Sequence, residues 1–213
     1  RNIQKNNKSF LFSFVKVLMH NFADAVVTNS YHQSNFYNSS KLFLKKAHVV
    51  YNGYALPDKN DFNYQPRQPE CSQLLVISRV NAEKNGVNLI RALMLFQQKC
   101  GFVPKVRWVG RQDTDPASLR CRFEMDSLIS SNIPIKESWE WLGERKDVYN
   151  LLGESDALVL VSFHEGLPNV ICEAFMCCRP VIASNISDNP TLVEDRIRGF
   201  LCDPFKPESI YLA

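Results

Sequence analysis

The sequence predicts an α/β fold in which a Rossmann-like parallel sheet carries helices on both faces. Short apolar runs alternate with helix-like segments along most of the chain, which is typical of parallel sheets built from strand-helix units. The predicted strands lie at residues 74–78, 106–110, 139–142, 157–161, 181–184 and 199–202. The predicted helices lie at residues 86–100, 116–131, 146–154 and 167–176. A ligand of such a sheet binds beyond the carboxyl ends of the strands, so the loops after the strands are the expected site.

The first 52 residues are interpreted as the terminal portion of another domain. Residues 23–30 form a short β-branched run ending in Asn and Ser, which predicts a buried strand leading into a capped helix over 30–40. A second strand is predicted at 48–51. A turn at Asn52-Gly53 follows, because both residues readily adopt left-handed backbone angles.

Residues 53–73 are predicted to be a linker, since they are polar and contain Pro57, Pro66 and Pro69. The main domain therefore spans residues 74–213. Its first helix, over 86–100, is predicted from an apolar stripe at helical spacing, and the next begins at Pro116.

The composition is that of a globular protein, with 45% hydrophobic and 22% charged residues among 213. No apolar run in the sequence reaches the roughly 18 residues of a membrane span. Residues 10–19 are interrupted by Lys16 and are interpreted as an amphipathic helix.

The net charge of +3 is concentrated in residues 1–50, which contain seven Lys or Arg residues and one acid, Asp24. Such a stretch is compatible with peripheral contact with an anionic membrane and equally with a plain solvated face. Nucleic acid is not an expected partner, because no groove-reading motif or interleaved aromatic residues accompany these charges.

Cysteine and histidine usage predicts no metal site. The seven cysteines are an odd number, and Cys172, Cys177 and Cys178 lie in an apolar stretch without zinc-ligand spacing. The four histidines are scattered. The cysteines are therefore interpreted as buried thiols in a reducing compartment, which predicts a cytoplasmic protein.

Two loops carry the residues from which a ligand is predicted. Arg79 and Lys84 follow the strand at 74–78, and a guanidinium fork with an ammonium group would neutralise a diphosphate without a metal ion. Glu165 lies in the loop after the strand at 157–161, and Glu173 lies eight positions later, in the following helix. Both carboxylates are expected to border one cleft.

The helix between these carboxylates also predicts an anion site. Pro168 presets the backbone for a first helical turn. The free N–H groups of Asn169 and Val170 then point out of the helix N-terminus, where the helix dipole favours a diphosphate.

These residues resemble the donor-binding domain of the family-four, or group 1, retaining glycosyltransferases of GT-B fold. The most specific likeness is a Glu-x7-Glu motif from Glu165 to Glu173, followed by Ala174 and by Pro180-Val181. The Arg79-to-Lys84 spacing is similar to the family's Arg-x4-Lys. Further similar segments lie at residues 49–53, 192–195, 199–201 and 203–204.

The resemblance implies a role for each site residue. Glu165 would be the catalytic carboxylate at the transferred sugar, Glu173 would hold the ribose, and Arg79 with Lys84 would hold the diphosphate. The remaining implied contacts are the N–H groups of Gly166 and Leu167 to the sugar, those of Asn169 and Val170 to the phosphates, and the loop from Leu142 to Arg145 together with Gly110 and Arg111 at the base.

The implied reaction transfers a sugar from a nucleotide donor to an acceptor hydroxyl with retention of anomeric configuration. UDP is the expected nucleotide, with no metal or other cofactor. The expected setting is cell-surface, capsular or lipopolysaccharide synthesis, in the cytoplasm or at the inner membrane face, with a sugar or lipid-linked saccharide as acceptor.

Four departures from the family pattern lead to further expectations. Cys178 replaces a small residue, often Gly, and Ser187-Asp188 replace a Gly pair. Residues 1–50 lack the Gly-rich loop and catalytic His of the family's first domain, and the sequence ends in what is interpreted as a helix just begun. We therefore expect a fragment that binds the acceptor mainly through a missing domain and is inactive alone.

Two other functions are compatible with parts of this pattern. A degenerate module that binds nucleotide or sugar without transferring it stays open, because Cys178 and Ser187-Asp188 depart from the family. A dinucleotide-dependent oxidoreductase is disfavoured, since neither GxGxxG nor GxxxxGK occurs in the sequence.

Overall fold

The computed structural model describes residue 15, residues 17–54 and residues 72–213. Residue contacts divide the chain into two compact units, Arg1–Gly53 and Tyr54–Ala213. Most of the predicted linker and most of the predicted helix at 10–19 lie outside the described residues, although residue 15 and residues 17–22 are helical. Within the described ranges, no helix is both long enough and apolar enough to cross a bilayer.

The first unit contains the predicted strand, helix and strand. Strand β1 (Val26–Thr28) pairs in parallel with strand β2 (Ala47–Val49), and helix α1 (Tyr31–Ser39) connects them. Ser30 caps α1, since its hydroxyl oxygen accepts a hydrogen bond from the backbone N–H of Gln33 at 3.1 Å.

A six-stranded parallel sheet forms the centre of the second unit. Its strands are β3 (Gln73–Ile77), β4 (Lys105–Val109), β5 (Trp139–Gly143), β6 (Ala157–Leu160), β7 (Val181–Ser184) and β8 (Gly199–Cys202). The helices are α2 (Gly86–Cys100), α3 (Pro116–Ser131), α4 (Ile133–Ser138), α5 (Val148–Glu154), α6 (Asn169–Met176), α7 (Asn189–Leu192) and α8 (Pro207–Leu212), with a 3₁₀ turn at Ala82–Lys84.

Helices cover both faces of this sheet, which confirms the predicted fold class. Successive strand residues point to opposite faces, so Leu75 and Leu158 pack against α5 and α6, whereas Val76 and Val159 pack against α2, α3, α4 and α8. Each face thus has its own apolar core, as expected of strands that read as continuous apolar runs.

The strand order is β5-β4-β3-β6-β7-β8. The first strand of this sheet along the chain is the central strand β3. The next two, β4 and β5, lie on one side of β3, and β6, β7 and β8 lie on the other. The connections that leave β3 and β6 therefore run in opposite directions and open a crevice at the carboxyl ends of these strands. This switch point is where ligands of doubly wound sheets bind.

The predicted helices at 86–100 and 116–131 have the bounds of α2 and α3. Two predicted helices begin two residues later than expected, at Val148 and Asn169. The structure also contains α4, α7 and the 3₁₀ turn, which the sequence analysis did not predict. These elements are three to six residues long, too short to display a helical period.

Candidate functional site

The loops after β3 and β6 face each other at the switch point. The backbone N–H of Phe163 donates to the carbonyl of Glu83 at 2.8 Å, which joins the two loops directly. Two of the sequence-predicted residues, Lys84 and Glu165, lie on opposite sides of this junction.

Lys84 and Glu165 form an ion pair, with 2.6 Å between Nζ and Oε1. Their side chains are only 17% and 11% exposed. Lys84 ends a 3₁₀ turn capped by Asn81, whose Oδ1 accepts from the Lys84 N–H at 3.1 Å. The cation predicted to bind the diphosphate is thus in contact with the carboxylate predicted to bind the sugar, although the two residues are 81 positions apart in the chain.

Arg79, the other predicted diphosphate cation, is half exposed and paired with a carboxylate that the sequence analysis missed. Its Nη1 donates to Oδ2 of Asp113 at 2.9 Å. Nδ2 of Asn81 donates to the same Oδ2, also at 2.9 Å. Asp113 follows β4, so this contact joins the loops after two adjacent strands.

A cavity of about 700 Å³ lies at the ends of β3, β4 and β5. It is lined by Ile77, Ser78, Arg79, Val109, Gly110, Arg111, Glu144, Arg145, Lys146, Val148 and Val170. Four of these residues are cationic and one is acidic, so the cavity favours an anionic ligand. Its apolar lining also offers surface for a planar ring.

Five sequence-predicted residues line this cavity: Arg79, Gly110, Arg111, Arg145 and Val170. Leu142 is placed differently. It belongs to β5, which extends to Gly143, and its side chain packs against the core.

The close approach of the β3 and β4 loops depends on Gly110. Its φ is +143°, and a Cβ there would lie 1.9 Å from the carbonyl oxygen of Ser78. Only glycine fits without moving the backbone. The hydroxyl oxygen of Ser78 is itself buried and has no hydrogen-bond partner among the described residues.

Arg145 is held at the cavity by Asp147. Its Nε and Nη2 donate to the two carboxylate oxygens at 2.8 and 2.5 Å. These hydrogen bonds lower the pKa of Asp147 to about 2. The carboxylate therefore remains ionised, and Arg145 anchored, throughout the neutral range.

Helix α6 presents the remaining predicted residues. Pro168 is its N-cap and provides no side-chain cap, and Asn169 and Val170 are the first two helical residues. Oδ1 of Asn169 accepts a hydrogen bond from the phenol of Tyr54 at 2.8 Å. Of the two residues expected near the sugar, Leu167 is buried and Gly166 is partly exposed.

Glu173 lies three positions after Val170, on the same face of α6. Burial raises the pKa of its carboxyl group. None of the hydrogen bonds or ion pairs among the described residues involves this side chain, so the carboxylate is partly desolvated without compensation from the protein.

Cys178 and Ser187, which depart from the family pattern, have left-handed backbone conformations. Their φ angles are 55° and 50°, in the left-handed region that favours glycine. Cys177 and Cys202 are buried, but Cys100 and Cys178 are exposed, so the prediction of buried thiols is wrong for the latter two. Among the described residues, no three His, Cys, Asp or Glu side chains cluster as a metal site.

The sequence model of one protein family, the group 1 glycosyl transferases, matches residues 71–213. The chain therefore belongs to this family of glycosyltransferases. In Escherichia coli, UDP-Gal:alpha-D-GlcNAc-diphosphoundecaprenol alpha-1,3-galactosyltransferase is 40% identical over 73 residues, which cover 34% of this chain and 19% of the relative. In Staphylococcus aureus, the capsular polysaccharide biosynthesis glycosyltransferase CapH is 25% identical over 151 residues, 71% of this chain and 40% of the relative.

The fold matches solved structures over nearly the whole chain. Anabaena Alr3699/HepE, solved in complex with UDP-glucose, superposes with a TM-score of 0.77 at 24% identity, over 92% of this chain and 54% of that protein. At this identity the likeness establishes the fold alone. The chain matches about half the length of this structural neighbour and less of the two curated relatives.

Proposed function

We propose that residues 54–213 bind a nucleoside diphosphate sugar, with UDP as the nucleotide, at the switch point between β3 and β6. The enzyme's reaction is then transfer of the sugar to an acceptor hydroxyl with retention of anomeric configuration. The proposal depends above all on the Lys84–Glu165 pair. It brings a cation suited to a leaving diphosphate to a carboxylate suited to the transferred sugar.

The cavity accounts for the nucleotide half of the donor. Arg79 and the N-terminus of α6 would neutralise the diphosphate, which leaves the cavity beyond Gly110 and Arg145 for the base. The uncompensated carboxylate of Glu173 is suited to accept hydrogen bonds from ribose hydroxyls. With fixed cations and amides at the leaving group, the transfer is proposed to be independent of a metal ion.

Donor binding would exchange the partners of Lys84. In the structure its ammonium group pairs with Glu165. With donor present, the diphosphate would compete for the ammonium group and free Glu165 for the sugar. Glycosyl transfer develops negative charge on the leaving group and positive charge on the sugar ring. Lys84 and Glu165 have the charges that stabilise each of these.

The choice of UDP is supported by the HepE complex with UDP-glucose and by the UDP-galactose donor in the name of the Escherichia coli relative. The CapH relative supports a role in capsular or other cell-surface polysaccharide synthesis. We place this reaction in the cytoplasm or at the inner membrane face, with a sugar or lipid-linked saccharide as acceptor.

A binding module without transferase activity is the second candidate, because Cys178 replaces a small residue, often Gly, and Ser187-Asp188 replace a Gly pair of the family pattern. Cys178 and Ser187 nevertheless adopt the left-handed backbone that glycine would provide. The backbone at each position is therefore one that glycine also favours, and the cations and carboxylates of the site are present. These observations favour the enzyme.

Calorimetric titration of the chain with UDP, GDP and ADP in EDTA tests the proposal. We expect UDP to bind most tightly, and Arg79→Ala and Glu173→Ala each to weaken it by about tenfold or more. Arg91→Ala is the matched control, since Arg91 is an equally exposed arginine, paired with Glu124 and remote from the cavity lining. Failure of all three nucleotides to bind the folded chain, or equal losses in Arg91→Ala, would contradict the assignment. Adding Mg²⁺ in place of EDTA tests metal independence.

A further inference from the structure

We infer that Asp113 is a positioning residue that holds the Arg79 guanidinium in the orientation required by the donor diphosphate. This inference rests on the proposed function, which it extends to a residue outside the family-like motifs. Asp113 is placed beside Arg79 only by the pairing of β3 with β4.

The contact is direct and well defined. Oδ2 of Asp113 accepts from Nη1 of Arg79 at 2.9 Å, within the range of strong charge-assisted hydrogen bonds. The Asp113 side chain is 16% exposed and that of Arg79 is 52% exposed. The carboxylate is therefore the more buried partner, and about half of the Arg79 side chain remains exposed to solvent.

Asp113 is itself fixed in place by other contacts. Nδ2 of Asn81 donates to the same carboxylate oxygen at 2.9 Å. The backbone N–H of Asp113 donates to the carbonyl of Val80 at 3.1 Å, and the N–H of Val80 donates to the carbonyl of Arg111 at 2.8 Å. These hydrogen bonds restrain the carboxylate, and through it they restrain Arg79.

A half-exposed arginine without this contact would sample many rotamers. Binding a diphosphate would then immobilise it, which costs about 0.5–1.5 kcal/mol for a long side chain, equivalent to about two- to tenfold in affinity. Asp113 also has an unfavourable, electrostatic effect on diphosphate binding, because its carboxylate repels a nearby diphosphate. The two effects have opposite signs and respond to different substitutions.

Calorimetric titration of Asp113→Ala and Asp113→Asn with UDP separates the positioning effect of Asp113 from its electrostatic repulsion. Alanine removes both charge and acceptor, so we expect UDP binding to weaken by about three- to tenfold. Asparagine removes the charge but keeps an acceptor oxygen for Arg79, so we expect affinity equal to or above that of wild type. Asp113 also has a longer contact with the cavity residue Arg111, whose Nε lies 3.8 Å from Oδ1. In an Arg79→Ala background, where only this contact remains, Asp113→Ala should cause no further loss beyond about twofold.

Asp126→Ala is the matched control, because Asp126 also pairs with an arginine, Arg122 at 2.8 Å, but on α3. It should leave UDP affinity unchanged. Tighter binding by Asp113→Ala, or a loss that persists in the Arg79→Ala background, would overturn the positioning role while leaving the proposed function intact. If wild-type chain binds none of the nucleotides, the proposed function and this inference fail together.

Discussion

Replacing Glu165 by glutamine should lower stability and spare UDP binding. The neutral amide of glutamine cannot neutralise Lys84, whose ammonium group would remain largely buried. Removing one member of a fully buried ion pair costs roughly 3–5 kcal/mol. Because both side chains keep some exposure and glutamine retains an acceptor oxygen, we expect a loss of about 1–3 kcal/mol.

Urea denaturation followed by tryptophan fluorescence measures this loss. All three tryptophans belong to β4 and β5, where ring centroids lie 5.2 to 5.9 Å apart. The emission therefore reports unfolding of the second unit. The control is Glu124→Gln, which breaks the exposed Arg91–Glu124 pair and should cost less than about 0.5 kcal/mol.

UDP affinity of the Glu165→Gln chain should equal or exceed that of wild type, because the diphosphate no longer competes with a carboxylate for Lys84. A stability loss no greater than that of Glu124→Gln would refute our account of the buried pair. UDP binding weakened several-fold would refute the exchange of partners by Lys84.

Two further predictions concern single residues. Glu173→Gln should weaken UDP binding yet stabilise the folded chain near neutral pH, because burial raises the pKa of this carboxyl group above its usual 4.5. As pH rises, the Glu173 carboxyl group therefore ionises first in the unfolded chain. The resulting destabilisation of the folded chain is absent in acid and develops as pH rises through the folded pKa. Equal free energies of unfolding for wild type and variant at about pH 7, from urea denaturation, would exclude this destabilisation. Cys178→Gly should raise the free energy of unfolding by about 0.5–1 kcal/mol, because φ is +55° there. The control Cys100→Gly, at the end of α2, should lower it by up to about 1 kcal/mol, and a loss of stability in both variants would show that Cys178 is not strained.

The sequence by itself determined the longer helices and the strands of the sheet, but not the shortest helices. The apolar stripe of residues 86–100 defines α2, which ends at Gly101 in a left-handed conformation. Asp115 and Pro116 define the start of α3, because the aspartate side chain accepts from two backbone N–H groups of the first turn. Such signals depend on residues within a few positions of one another.

The sequence also predicted the candidate site residues, because the chemical type of each side chain and the spacing between them do not depend on the fold. It placed Arg79 and Lys84 in one strand-end loop and Glu165 in another. It did not predict that Lys84 and Glu165 pair, nor that Asp113 binds Arg79. Leu142 was expected at the base pocket, but it is not among the residues that line the cavity, and its partly buried side chain packs against the core.

Only the tertiary structure decided these contacts, because each joins residues from different strands. The order of β3, β4 and β6 in the sheet brings three loops to one edge, and strand order depends on the packing of both sheet faces rather than on local periodicity. The close approach at Gly110 likewise requires the neighbouring Ser78 carbonyl. Local chemistry thus identified the participants, and long-range packing determined which of them meet.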